Sequence, residues 1–178
     1  LNGIYGQLLG SSGVTVILQH AKLIDANTVE MADGIRHTAK NILIATGGHP
    51  NVPHMTGREH VFTSNEMFDL PTFPKRLLVV GGGYIACEFA SIFNGLGSKV
   101  TQMYRGEQIL RGFDEDVRHF IATEMRKTGV DLRLNAGVVA IHRTALGLDV
   151  SLEQGGTLMV DAVLYATGRV PNVQGLGL

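Results

Sequence analysis

The sequence predicts an α/β fold in which helices cover a central parallel sheet and an antiparallel meander is attached to it. Three observations carry this. From residue 75 onward, strand-like apolar runs alternate with segments of helical spacing. A glycine-rich turn joins the first of those strands to the first helix, and three short alternating runs broken by LG and GG follow the last helix. The order is β-α-β-α-β, then β-β-β, then one more apolar strand, and the short connections demand right-handed crossovers.

Ahead of residue 75, VTVILQ at 14–19 is β-branched and apolar, and TVEM and IRHTAKNILIATGG supply two more strand-like runs, with DAN and DGI as turn material. Together they predict a small antiparallel meander ending on ILIATGG. Residues 48–57, GHPNVPHMTG, hold two prolines and two glycines and predict a connection that crosses between domains. In TSNEMFDLP, Ser64 is placed as the N-cap of a short helix stopped by Pro71.

KRLLVVGG then gives a near-continuous apolar strand of the kind buried on both faces of a parallel sheet. Ile85, Phe89, Ile92 or Phe93, and Leu96 recur at helical spacing, and the GLG at 95–97 stops that helix. KVTQMY at 99–104 is the second strand. Asp114 opens a helix with acids in its first turn, Arg126 and Lys127 in its last and Gly129 beyond, so charge opposes the dipole at both ends. Val117, Phe120, Ile121 and Met125 are expected as its buried stripe. VDLRLN is the third strand. VVAIHRT, GLDVSLE and TLMV form a second meander, and DAVLYATGR closes the order.

Bulk composition narrows the function. At 178 residues the chain accommodates one well-buried domain, or one domain carrying pieces of another. With 44 % hydrophobic and 17 % charged residues it is globular, and a net charge of −1 provides no field to recruit nucleic acid or an anionic membrane. No apolar run spans a bilayer and no signal peptide is legible, so a cytoplasmic location is expected. The single Cys87 makes no internal disulfide, and no spaced Cys/His set suggests a metal. Cys87 is expected as a small core residue, and the seven scattered histidines as surface or capping residues. The start on Leu1 and the end on VQGLGL read as part of a longer protein.

Gly81-Gly82-Gly83-Tyr84-Ile85-Ala86 has the pattern GxGxxA between a strand and a helix. Gly81 permits the tight turn, Gly83 lets backbone approach a pyrophosphate, and Ala86 lets helix pack on strand, while the helix N-terminus presents N–H groups to the anion. With the strand before it and the amphipathic helix after it, the pattern predicts a Rossmann-like dinucleotide-binding turn, the alternative being a glycine-rich turn with no ligand. A carboxylate is expected at the tip of the second strand, where it would accept from the ribose hydroxyls of NAD. This chain has Tyr104 and Arg105 there, with Arg111 six residues on. Guanidinium groups bond a phosphate bidentately, so the substitution favours the 2′-phosphate of NADP. Glu107 lies between the arginines and is placed to pair with either. Tyr84 and Glu88, four apart, share a helix face. Either both line the nicotinamide pocket, or Tyr84 packs on the sheet and Glu88 reaches solvent.

ILIATGG, then VVGGGYIACEFASIFNGLGSKVTQMYRGEQILRGFDED, then LYATGRVPN together resemble the FAD-dependent pyridine nucleotide-disulfide oxidoreductases, and within them the glutathione reductases, over nearly the whole chain. The resemblance implies a Rossmann-like three-layer NAD(P)-binding domain with a central parallel sheet and an antiparallel β-meander, flanked by pieces of an FAD domain. It implies a partial FAD-domain segment at 1–52, an NADP-binding domain at 53–160 and a return segment at 161–178. Arg105 and Arg111 fall on 2′-phosphate positions, Tyr84 on a tyrosine that lids the flavin, and Glu88 on a glutamate beside the nicotinamide. Arg169 falls near where the cofactors meet, and the two strand ends with Thr46, Gly47, Thr167 and Gly168 belong to the FAD domain. Gly106 departs from the basic residue that often follows the first arginine.

The cofactor-contacting set so expected is Thr46, Gly47, Gly81, Gly83, Tyr84, Ile85, Ala86, Glu88, Tyr104, Arg105, Arg111, Thr167, Gly168 and Arg169. The family's redox cysteine pair, its FAD-binding glycine turn and its catalytic histidine are not in this sequence, so the chain alone is expected to bind NADPH without turnover. The resemblance implies that the intact enzyme passes electrons from NADPH through FAD and a disulfide to glutathione disulfide, as a homodimer, with this chain alone a monomer or a non-native dimer. Dihydrolipoyl dehydrogenase, mercuric or trypanothione reductase stay open as alternatives, as does a non-catalytic NADP(H)-sensing module.

Overall fold

The computed structural model describes residues 2–178. By its contacts the chain divides into two compact units, Leu1–Gly47 with Pro171–Leu178, and Gly48–Val170.

The first unit holds a helix, α1 (Asn2–Ser11), and three strands, β1 (Ala21–Asp25), β2 (Thr28–Met31) and β3 (Arg36–Thr38), in the antiparallel order β1-β2-β3. The expected meander is therefore present but displaced. VTVILQ and residues 41–47, NILIATG, carry no ladder, and AKLID supplies the first strand instead. A β-branched composition favours the pleated conformation, yet a strand exists only where a neighbour takes its N–H and C=O groups. Glu30 on β2 bridges Lys22 at 2.8 Å and Arg36 at 2.9 Å, which ties the three strands through side chains. The pattern of α1 was hidden by Gly3, Gly6 and Gly10, since glycine costs about 1 kcal/mol in a helix interior. Ile4 and Leu8, and Tyr5 and Leu9, nevertheless keep helical spacing.

The second unit contains β4 (Gly48–Pro50), β5 (Arg76–Val80), α2 (Tyr84–Gly95), β6 (Lys99–Tyr104), α3 (Glu115–Lys127), β7 (Asp131–Leu134), β8 (Val138–Thr144), β9 (Gly147–Leu152), β10 (Thr157–Val160), β11 (Ala162–Tyr165) and β12 (Arg169–Pro171). The central sheet is parallel throughout, in the order β11-β5-β6-β7, and the second meander is antiparallel, in the order β10-β9-β8. The α/β expectation holds, and alternation along β5 shows how its layers form. Leu77 and Val79 enter a core with Phe89, Phe93 and Met125 from the helices. Leu78 and Val80 enter a second core with Ile141, Leu148 and Val150 from the meander. Helices, sheet and meander are three layers held by one doubly buried strand.

Two helical faces differ from expectation. In α2, Phe89 and Phe93 are buried, so of the expected alternatives Phe93 and not Ile92 faces inward, but Leu96, just past the helix end, is exposed. In α3, Val117 and Phe120 are exposed, and the inward row is Arg118, Ile121, Ala122 and Met125. A polar residue heads that row, so an apolar count rotated the face by one position. Asp114 caps α3 as expected, accepting from the N–H groups of Asp116 and Val117. Ser64 caps nothing: the short 3₁₀ turn Glu66–Phe68 follows Asn65, and the Glu66 carboxylate instead accepts from the N–H and hydroxyl of Thr63 at 2.7 and 2.6 Å. Cys87 is buried, and burial pushes its thiol up. No helix among the described residues is long and apolar enough to cross a membrane.

The sheet and the meander are joined by a charged clamp. The Arg76 guanidinium donates to Asp161 at 2.5 and 3.1 Å and to the Leu146 carbonyl at 2.9 Å, and the Arg76 N–H donates to Asp161 at 2.7 Å. The guanidinium holds the Asp161 carboxyl below the usual carboxylate range. A carboxyl depressed by folding contributes stability above its unfolded pKa, about 3.9, and loses it as pH falls through the lower folded value. In urea unfolding followed from pH 7 to pH 2, Asp161→Asn is therefore expected to trail the unaltered chain by a constant margin down to about pH 4 and to close on it below. A margin that ignores pH would assign the clamp to shape instead of charge.

Candidate functional site

β5 lies between β11 and β6, so the turn leaving it is crowded by the ends of both neighbours. Gly81 has φ 145°, and a Cβ there would run into the Ala166 carbonyl and reach Ala86 at 3.3 Å. Its N–H donates to the Met103 carbonyl at 2.8 Å. At Gly82 a Cβ would stand 2.5 Å from the ring of Tyr104, and at Gly106 it would stand 2.6 Å from the far edge of the same ring. Tyr104 is therefore seated between two glycines. The Gly106 position, which departs from the basic residue expected from resemblance, is filled by what the ring requires. Around Gly83 there is open space, and this glycine starts α2.

The two helices of this unit differ at their N-termini. α3 is closed by its own Asp114 carboxylate, whereas α2 has no side-chain cap and no acid in its first turn. The first N–H groups of α2 are thus left for an external acceptor, with the positive end of the helix dipole behind them. They open on a cavity of about 950 Å³ lined by Gly81, Gly82, Gly83, Tyr84 and Ile85 on one side, Tyr104, Arg105 and Arg111 on another, and Thr167, Gly168 and Arg169 on a third. Among the described residues neither Arg105 nor Arg111 forms an ion pair, and Glu107 pairs with neither. Two exposed guanidinium groups therefore face the same cavity as the uncapped helix.

Other expected residues are placed differently. Ala86 is fully buried beneath Gly81, outside the lining. Tyr84 is 55 % exposed and lines the cavity, while Glu88 is exposed on α2 and does not. Thr167 donates to the Asn51 carbonyl at 2.8 Å, the Gly168 carbonyl accepts from the Asn51 N–H at 2.9 Å, and Arg169 donates to the Gly48 carbonyl. Thr46 and Gly47 belong to the first unit and are not in the lining. There the Thr46 hydroxyl donates to the Asn172 carbonyl at 2.6 Å.

Sequence inspection missed one wall. Asn51, Pro53, His54, Met55 and Thr56, taken as a connection, line the cavity, as do Ala136–Val139, Glu153 and Tyr165. The Tyr165 hydroxyl donates to the Met55 sulfur at 2.8 Å, and burial pushes its pKa to about 12, so it stays a donor at neutral pH. The sequence signal available was that Tyr165 immediately precedes the second ATG strand end.

The sequence model of the family described as pyridine nucleotide-disulphide oxidoreductase matches residues 1–178. The chain is 47 % identical over 178 residues to a glutathione reductase of Burkholderia cepacia, covering 100 % of this chain and 39 % of that protein. Against a glutathione reductase of a Nostoc species it is 46 % identical over 180 residues, again covering 100 % and 39 %. Against a chloroplastic/mitochondrial glutathione reductase of Pisum sativum the identity is 42 % over 179 residues, covering 100 % and 32 %. The chain thus spans two fifths or less of the length of these curated relatives. Among solved structures, the HOCl-induced flavoprotein disulfide reductase RclA from Escherichia coli superposes with TM-score 0.82 at 34 % identity, covering 98 % of this chain and 41 % of that one. LpdA from Mycobacterium tuberculosis superposes with TM-score 0.80 at 32 % identity, covering 99 % and 41 %.

If the Tyr104 ring is what bars a side chain at position 82, Gly82→Ala is expected to lower unfolding free energy by about 1–3 kcal/mol. The same change in a Tyr104→Ala background should cost much less. Equal losses in the two backgrounds, measured by urea denaturation, would remove the ring as the obstacle.

Proposed function

This chain belongs to the pyridine nucleotide-disulphide oxidoreductase family, and from that premise we propose that residues 48–170 bind NADPH as the pyridine-nucleotide part of a flavoprotein disulfide reductase acting on glutathione disulfide. The observation that carries the proposal is a single cavity with an uncapped helix N-terminus on one side and two arginines, in place of an acid, on another. A dinucleotide of this kind carries two separated anionic groups. The pyrophosphate suits the N–H groups of Tyr84 and Ile85, because Gly83 leaves the approach clear. The 2′-phosphate suits Arg105 and Arg111, whose planar guanidinium groups match it bidentately and which have no carboxylate partner among the described residues.

A nicotinamide bound here would supply hydride chemistry to a flavin. The contribution of this chain is placement. Tyr84, at the first position of α2, more than half exposed and lining the cavity, is assigned as a lid over the nicotinamide end. Arg169 and Thr167 are held by Gly48 and Asn51, which fixes the backbone of the opposite wall. We assign Thr167, Gly168 and Arg169 to the flavin side of this cavity. Separately, we assign the first unit, with Thr46 and Gly47, to part of the FAD domain. Glutathione disulfide as substrate is supported by the three glutathione reductases that this chain resembles along its whole length.

Calorimetric titration of the full chain with NADPH and NADH at two salt concentrations tests the proposal. NADPH is expected to bind at least about tenfold more tightly, a difference of about 1.4 kcal/mol, with the gap narrowing at higher salt and in Arg105→Ala. Equal affinities would make the arginine segment a solvated loop and turn the assignment toward an NAD-using relative.

A further inference from the structure

Arg105 and Arg111 sit at the two ends of a loop that no regular element contains, so their separation depends on whatever fixes that loop. Its middle is pinned from two sides. On one side Leu110, at φ 57° in the left-handed region that a leucine adopts only under constraint, donates its N–H to the Gly82 carbonyl at 2.6 Å. On the other side stands Arg118. Its Nε donates to the Ile109 carbonyl at 2.8 Å, its Nη2 donates to the Gln108 carbonyl at 3.1 Å, and its Nη1 meets the Glu115 carboxylate. Between these two holds the Ile109 side chain is fully buried.

Arg118 is unusual for its place. It heads the inward row of α3, where Ala122 and Met125 follow at helical spacing, and its side chain is only 14 % exposed. It is not in the cavity lining, and its charge is met by Glu115, so it has little left to offer a ligand directly. Its N–H groups go instead to two successive carbonyls of the arginine loop. Charged donors to backbone carbonyls are among the stronger hydrogen bonds, and these carbonyls are part-buried, so losing the donors leaves them poorly solvated.

We propose that Arg118 is a positioning residue for cofactor specificity: it holds the loop 105–111 in the shape that brings Arg105 and Arg111 onto one phosphate. The inference rests on the assignment of NADPH to this cavity. It separates two roles that three nearby arginines would otherwise share. Arg105 and Arg111 touch the ligand, whereas Arg118 sets the geometry in which they do so. Bidentate recognition of a phosphate depends on that geometry more than on the sum of charge.

The test compares the full chain with Arg118→Met, which keeps apolar length and removes every donor, by titration with NADPH and NADH separately. The expected result is a loss of NADPH affinity of about tenfold with NADH affinity changed less than about twofold. Arg118→Lys, which keeps the charge but offers a point donor in place of a planar fork, is expected to fall between and serves if the methionine variant does not fold. Hydrogen exchange should rise at the Leu110 amide in either variant. Overturning results are a preference for NADPH that survives in both variants while Arg105→Ala abolishes it, or parallel losses for the two nucleotides, which would reduce Arg118 to a general structural residue. If the unaltered chain shows no preference, the NADPH assignment fails first and the role of Arg118 fails with it.

Discussion

The closeness of backbone to backbone at Gly81 and Gly82 is the constraint on which the rest of this unit depends. β5 is flanked on both sides, so the turn after Val80 passes between the Ala166 carbonyl of one neighbour and the Tyr104 ring of the other. No side chain fits at either glycine. Because the turn is so close, its peptide groups are used structurally: Gly81 N–H goes to Met103, and Gly82 C=O takes Leu110. Gln102, fully buried, adds a third hold by donating to the Gly81 carbonyl at 3.0 Å. The glycine turn, the end of β6 and the arginine loop are consequently one mechanical piece.

What supports that piece differs from one side to the other. Beneath the turn lies apolar packing. Leu77, Leu78 and Val79 are fully buried on alternating faces of β5, and each such side chain contributes roughly 1.5–3 kcal/mol by leaving water. The arginine loop has only Ile109 and Leu110 buried and is otherwise held by hydrogen bonds: N–H donors from Arg118, the side chain of Gln108, the Asn135 N–H at Gly106, and its own Leu110 N–H on Gly82. A platform set by packing tolerates little movement, whereas a loop set by hydrogen bonds follows its donors. Affinity for a pyrophosphate and discrimination at a second phosphate would therefore respond to different substitutions.

The contrast between the two helix N-termini is a matter of one residue. Asp114 uses its carboxylate to satisfy α3, while Gly83 has none to offer α2 and leaves both space and unpaired donors. That difference was legible in the sequence, because Asp before EDV and Gly before YIA are read directly. So were the strands β5 to β11: the first three are apolar runs that alternate with helices, and those after them are short runs bounded by turn residues. The exposed Val117 and Phe120 were not, because a helix has several apolar faces and only its neighbours choose among them. Nor was α1, in which three glycines obscured the spacing of Ile4, Tyr5, Leu8 and Leu9.

By itself the sequence determined the alternating order of the second unit, the turn that needs glycine, and the presence of arginine where an acid would suit NAD. These are properties of local chemistry: a missing Cβ, a period of two or 3.6 residues, a guanidinium in place of a carboxylate. Only the tertiary structure decided that VTVILQ carries no ladder, that Asn51–Thr56 forms a wall, that Glu88 stays outside the lining, and that Arg118 serves the loop and not the cavity. Each of those depends on which distant group lies opposite. A strand needs its partner, a wall needs its cavity, and a guanidinium donates to whichever carbonyls the fold brings within about 3 Å of it.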